Sequence, residues 1–132
     1  MTPSELVAAA RECRSNAHVP YSKFRAGAAV HTDSDSVVPG TIVENVSLGL
    51  AMCAERVALF STVALGARPL ALALVAPRTG EDLTWPCGAC LQVALELGGS
   101  TMPIYVSSVA NDAPISESTV GELLPNGPFV RR

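Results

Sequence analysis

Leu70-Ala71-Leu72-Ala73-Leu74-Val75-Ala76 is an uninterrupted apolar run closed at both ends by proline, Pro69 and Pro77. A strand with one wet face alternates apolar and polar side chains, and this one does not. It reads as a central strand buried on both faces, which requires a layer of structure on each side of its sheet. Upstream, the spacing predicts a helix from about Met52 to Leu65, ended by Gly66 with Pro69 just beyond. Further back, Ala26–His31 and Val37–Val43 read as two strands joined by the polar turn Asp33-Ser34-Asp35-Ser36. Thr2-Pro3-Ser4-Glu5 has the form of a capping box with proline at the first helical position. Leu6, Ala10, Cys13 and Ala17 then follow at helical spacing, so this first helix should end near Asn16. Pro20 forces an extended entry into Tyr21-Ser22-Lys23-Phe24. Downstream of the apolar run, Pro77–Trp85 reads as a loop and Cys87 to Gly98-Gly99 as a helix. Ile104–Ala110 reads as a strand and Val120–Leu124 as a short last helix. The order is that of an α/β protein with one mixed sheet between helices.

A chain of 132 residues fits one domain spanning 1–132, with no internal repeat or linker. A domain of this size buries roughly two-thirds of its unfolded surface, so it needs no disulfide. No apolar stretch reaches the ~18 residues of a membrane span. The opening Thr2-Pro3-Ser4-Glu5 lacks the basic patch and apolar run of a secretory signal, which points to a cytoplasmic protein. Net charge is -3 and the nine Lys and Arg residues are scattered, which argues against polymeric nucleic acid as a partner. Charged residues make up only 16% of the chain, against a usual quarter or so, while apolar residues make up 48%. So little charge covers a small domain poorly, and part of the surface is expected to be buried between subunits.

Three of the four cysteines stand at predicted helix starts: Cys53, and the pair in Cys87-Gly88-Ala89-Cys90. Helix N-termini carry partial positive charge and free N–H groups, which biases such thiols toward thiolate. Two helix starts brought together would aim three sulfurs at one point. Three protein ligands with a fourth position open is the arrangement of a catalytic zinc. Glu55 follows Cys53 by two residues and is not needed as a ligand, so it is free to act as a base beside the metal. Zinc lowers the pKa of a water it binds from 15.7 to about 7. A carboxylate next to that water typically contributes ~10²–10⁴ in rate. Three thiolates leave the centre negative, and Arg56 is placed to offset this by donating to the sulfurs.

Cys53-Ala54-Glu55-Arg56 with Pro86-Cys87-Gly88-Ala89-Cys90 resembles the zinc signature of the cytidine deaminases. The resemblance extends over nearly the whole chain: Pro20–Phe24 with Gly27-Ala28-Ala29, Val43-Glu44-Asn45 with Gly49, Gln92-Val93, and Glu122-Leu123-Leu124-Pro125. It implies a three-layer α-β-α fold around a central mixed five-stranded sheet, and hydrolytic deamination of cytidine and 2'-deoxycytidine in pyrimidine salvage. It implies Zn2+ on Cys53, Cys87 and Cys90, with proton shuttling at Glu55. Glu44 would meet the ribose and Phe24 the base, while Ala54 and Pro86 would line the pyrimidine pocket. A C-terminal aromatic, here Phe129, would reach into a neighbouring subunit's site in a homotetramer.

Departures from that pattern cluster near the substrate. Ile42 stands where asparagine is usual, Leu48 where tyrosine is, Leu91 where arginine is, and Trp85 where a small Ser or Thr precedes the proline. Isoleucine can make no hydrogen bond to a sugar hydroxyl, so a weaker grip on the sugar is expected, and a modified cytosine compound of the blasticidin-S type stays open as substrate. Other readings also stand. Trp85–Cys90 has the form of a thioredoxin-like redox pair, although that leaves Cys53-Ala54-Glu55 without a role. His18 and His31 could join the cysteines in a closed structural zinc knuckle, which would idle Glu55. A zinc-binding homologue without turnover is a further alternative. Cys13, on the apolar face of the first helix, reads as a core thiol.

Overall fold

Thr2 starts the chain's first helix as the sequence predicts. Its hydroxyl accepts from the Glu5 amide at 3.2 Å, and the Glu5 carboxylate accepts from the Thr2 amide at 3.4 Å. The computed structural model describes residues 1–127. Helix α1 (Pro3–Cys13) runs into a tight 3-10 turn at Arg14–Asn16, so the helical segment ends where expected. Then come β1 (Gly27–Thr32), β2 (Val37–Thr41), α2 (Ala54–Ala64), β3 (Pro69–Val75), α3 (Gly88–Gly98), β4 (Pro103–Ser107), β5 (Ser116–Thr119) and α4 (Val120–Leu123).

The strands form one sheet in the order β2-β1-β3-β4-β5. β3 and β4 are parallel and the other pairs antiparallel, so the sheet is mixed, with the apolar run at its centre. Alternate residues of that run face opposite layers. Leu72, Leu74 and Ala76 join the cluster that holds Ala54, Ala58 and Leu59 of α2 and Ala94 of α3. Ala71, Ala73 and Val75 join Leu6, Val7 and Ala10 of α1. The result is the three-layer α-β-α arrangement, with α1 on one face and α2 and α3 on the other.

Three details differ from the sequence reading. β2 stops at Thr41, because beyond it the chain turns to pair elsewhere. Ile42 and Glu44 hydrogen-bond with His18, and Val43 exchanges backbone hydrogen bonds with Met52. β4 stops at Ser107 instead of Ala110; the Ser107 hydroxyl instead serves the following loop, donating to the Pro114 carbonyl at 3.0 Å. Hydropathy patterning finds four strands, and the fifth is Ser116–Thr119, a polar edge segment paired with β4.

Gly40 lets α2 lie directly on β2. A Cβ there would come within 2.5 Å of the Ala54 carbonyl oxygen and the Ala58 amide nitrogen. The first turn of α2 carries Cys53 at its cap and Glu55, so this contact seats the site as well as the helix. Gly40→Ala is expected to destabilise the protein by about 1–3 kcal/mol, the usual cost of overpacking. Urea unfolding checks this, and an unchanged midpoint would contradict the close approach.

Candidate active site

Cys53 and Cys87 are the cap residues of α2 and α3, and Cys90 lies in the first turn of α3. Both helices pack on the same face of the sheet, and their starts converge. The Sγ atoms of Cys53 and Cys87 are 3.9 Å apart, those of Cys87 and Cys90 3.5 Å, and all three sulfurs lie within 4.8 Å of one another. Tetrahedral zinc with Zn–S bonds near 2.3 Å separates its sulfurs by about 3.8 Å. The donor set therefore fits zinc in both kind and spacing. No disulfide joins the four cysteines, and no histidine enters the cluster among the described residues. His31 pairs instead with Asp35 at 2.9 Å in the β1–β2 turn, so the knuckle reading gains no support. The third sulfur beside Cys87 and Cys90 also speaks against a simple redox pair.

Hydrogen bonding separates the thiols. Cys53 is pushed down to about 5, first by its hydrogen bond with Cys90 and further by those with Arg56 and Cys87, against the opposing effect of burial. Cys90 is pushed up, chiefly because that same bond favours its proton, with burial adding. Cys53 is thus lowered by its hydrogen-bond partners, and at Cys90 the bias toward thiolate expected of a helix start is reversed by the adjacent Cys53. Arg56 Nη2 donates to Cys53 Sγ at 3.5 Å, the charge-offsetting contact expected from sequence. Its hydrogen bonds to Cys53 and Cys90 hold the guanidinium charge more firmly than usual.

Glu55 is 5% exposed. Burial pushes its carboxyl up to about 7, and repulsion from Cys53 adds to the rise. It opens onto a cleft of about 120 Å³ shared with Phe24, Ile42, Ala54, Trp85, Cys53 and Cys87. A cavity of about 150 Å³ admits benzene, so this one is sized for a single small ring.

The structure brings Phe24, Ala54, Glu55, Cys53 and Cys87 to this cleft. Pro86 is buried between two cleft residues without lining it. Glu44 lies to one side. Its Oε1 accepts from the Tyr21 and Ser22 amides at 3.1 and 3.2 Å, and hydrogen bonding from Ser22 holds its carboxyl below the usual range. The same Ser22 accepts from the Phe24 amide at 3.0 Å, which ties Glu44 and Phe24 to one turn. Phe129 lies outside the described residues. Ala26, Leu74, Ala76 and Thr84 also line the cleft and had no signal beyond ordinary core or loop patterning.

Three sulfurs with a buried carboxylate beside them, rather than four closed ligands, put the protein among catalytic zinc proteins of α-β-α architecture. The family described as "Cytidine and deoxycytidylate deaminase zinc-binding region" matches residues 1–106. The cytidine deaminase of Sporosarcina psychrophila is 40% identical over 126 residues, 95% of this chain and 90% of that protein. That of Halalkalibacterium halodurans is 42% identical over 120 residues, 91% and 89% of the two chains. The crystal structure of cytidine deaminase from Burkholderia pseudomallei superposes with a TM-score of 0.87 at 42% identity, covering 96% of this chain and 99% of that one. The Mycobacterium tuberculosis enzyme gives 0.81 at 37% identity, covering 98% and 99%. The chain belongs to the cytidine and deoxycytidylate deaminase family. Among the described residues, no helix is long and apolar enough to cross a membrane.

Proposed function

We propose that the protein is a zinc-dependent hydrolase that converts cytidine to uridine, and 2'-deoxycytidine to 2'-deoxyuridine, releasing ammonia. The observation that carries this reading is the buried Glu55 carboxyl beside three converging sulfurs at the end of a ring-sized cleft. Zinc, when held by Cys53, Cys87 and Cys90, supplies a water acidic enough to attack the ring near neutral pH. Glu55 takes a proton from the attacking water, passes it to the ring nitrogen, and serves the departing amine in the same way. Arg56 spreads the negative charge of Cys53. Phe24 and Ile42 offer apolar surface to the ring, Ala54 borders the pocket, and Pro86 supports it from behind, between Trp85 and Cys87. Glu44 is the sugar-binding acid, held ionised and in place by the Tyr21 and Ser22 amides.

The working unit in this reading is a cytoplasmic homotetramer serving pyrimidine salvage, with Phe129 contributed to a neighbouring site. Its support is the apolar surface of Val46, Leu48 and Leu50, which are 82%, 87% and 69% exposed. Loss of ultraviolet absorbance at the cytosine band, on adding zinc-loaded protein to cytidine, tests the reaction. Folded, zinc-loaded protein inert toward both cytidine and deoxycytidine would overturn it.

Two predictions arise here. Glu55 accepts a proton only as carboxylate, so raising its pKa sets an acid limb: kcat/KM for cytidine should fall about tenfold per pH unit below about 7. A profile flat down to pH 5 would remove Glu55 as the base. Ile42 faces the cleft where a polar contact is usual, which favours a second reading, a modified cytosine compound as the preferred substrate. Ile42→Asn should lower KM for cytidine about 2- to 10-fold, the worth of one hydrogen bond. No change in KM would count against a sugar contact weakened by Ile42.

A further inference from the structure

We propose that Trp85 is a specificity-determining wall, which limits the substrate to a small departing amine by closing the catalytic cleft off from an adjoining groove. The inference rests on the deaminase reading and concerns which cytosines the site admits. Beside the 120 Å³ cleft lies an open groove of about 600 Å³, lined by Thr79, Asp82, Leu83 and Ser116. The two hollows share only Thr84 and Trp85. Thr84 turns its hydroxyl away into the loop, donating to the Pro77 carbonyl at 2.6 Å and lying 2.8 Å from the Thr79 hydroxyl. The indole is what remains as the partition, and it is fixed, since it packs against the main apolar cluster.

Trp85 is two residues before Cys87, and both line the cleft together with Cys53 and Glu55. Hydrolysis takes place in that cleft: the bond from water oxygen to the ring carbon forms, and the bond from that carbon to the exocyclic nitrogen breaks. One proton of the water goes to the ring nitrogen and the other leaves on the amine. An alkyl group on that nitrogen leaves with it, as RNH2 instead of NH3, and must find room where Trp85 stands. Without the indole the group would extend into the groove.

Trp85 is the chain's single tryptophan, so its emission reports occupancy of the cleft without any substitution. The experiment compares cytidine with N4-propylcytidine, by fluorescence titration of the zinc-loaded wild type and by kcat/KM for the wild type, Trp85→Ser and Trp85→Phe. Cytidine should alter the emission and the propyl compound should not at the same concentration. The ratio of kcat/KM for the propyl compound over cytidine should rise about tenfold or more in Trp85→Ser, and less in Trp85→Phe. If Trp85→Ser does not fold, the Phe variant and the wild-type titration decide. Equal binding or turnover of the two compounds by the wild type, or an unchanged ratio in a folded variant, would overturn the proposal. If the wild type left cytidine unconverted, the deaminase reading would fall instead, and the titration alone would still decide whether Trp85 excludes the substituted amine.

Discussion

Glu55→Gln should lower turnover of cytidine by about 10²–10⁴ while leaving zinc content unchanged. Glutamine matches the carboxylate in shape and can hydrogen-bond, but it cannot take up a proton at any working pH. Glu55 is no member of the sulfur cluster, so metal analysis of the variant should match the wild type. The same change should stabilise the fold. Burial raises the Glu55 carboxyl from 4.5 to about 7, so the folded state favours the protonated form. Between those values the unfolded chain ionises first, and native stability falls as pH rises through the window. A neutral glutamine avoids that loss. The variant should therefore melt above the wild type at pH 8, with the gap closing as pH falls toward 4.5. A catalytically dead protein that is also more stable is the signature of a buried base kept for chemistry. Full activity in this variant would sink the assignment, and loss of zinc would show that Glu55 holds the metal.

Removing the metal should have the second large effect. Cys53 and Cys87 lie 34 residues apart in sequence, yet their sulfurs converge from the starts of two different helices. The unfolded chain offers no such cluster, so zinc binds the native state in preference. At a thousandfold excess over Kd, that preference adds about 4.1 kcal/mol. For a domain of this size the loss corresponds to a fall in Tm of roughly 10–15 °C. Chelation should produce this fall together with loss of turnover, both restored by added zinc. Cys90→Ser should do the same without rescue, since a hydroxyl is a poor zinc ligand. Cys13→Ser is the control. Cys13 Sγ lies against the backbone carbonyls of Ala10, Ala28 and Gly40, away from the cluster, so zinc and activity should persist. Unchanged Tm and activity after complete zinc removal would exclude a metal role for the three sulfurs.

What the sequence made legible was whatever depends on local pattern. The run at 70–76 has a composition only a doubly buried strand explains, and it proved to be the centre of the sheet. Cys53 and Cys87 were read at helix starts because cap positions and breakers are local signals, and they are the caps of α2 and α3. β5 escaped because Ser116–Thr119 has no apolar alternation: it is a strand only because β4 offers it an edge. The shift of Cys90 in the opposite sense from Cys53 was equally hidden, since it arises from a contact between helices and not from the helix that carries it. Glu44 was picked out by family resemblance, but its capture by the Tyr21 and Ser22 amides depends on two segments meeting in space. The same holds for Thr84 and Trp85 as the residues common to two hollows, because no spacing rule relates a loop to two cavities.

The split of the ligand set across the chain also has a consequence in time. During synthesis at about 5–20 residues per second, Cys90 leaves the ribosome about 2–7 s after Cys53. Until Cys87 emerges a nascent chain carries a single thiol of the set, and the whole of β3, the strand between the two helices, is made in that interval. Metal capture is therefore a late event in the life of each molecule. A truncated or stalled chain ending before Cys87 holds one sulfur of the set, so incomplete products do not compete with finished enzyme for zinc.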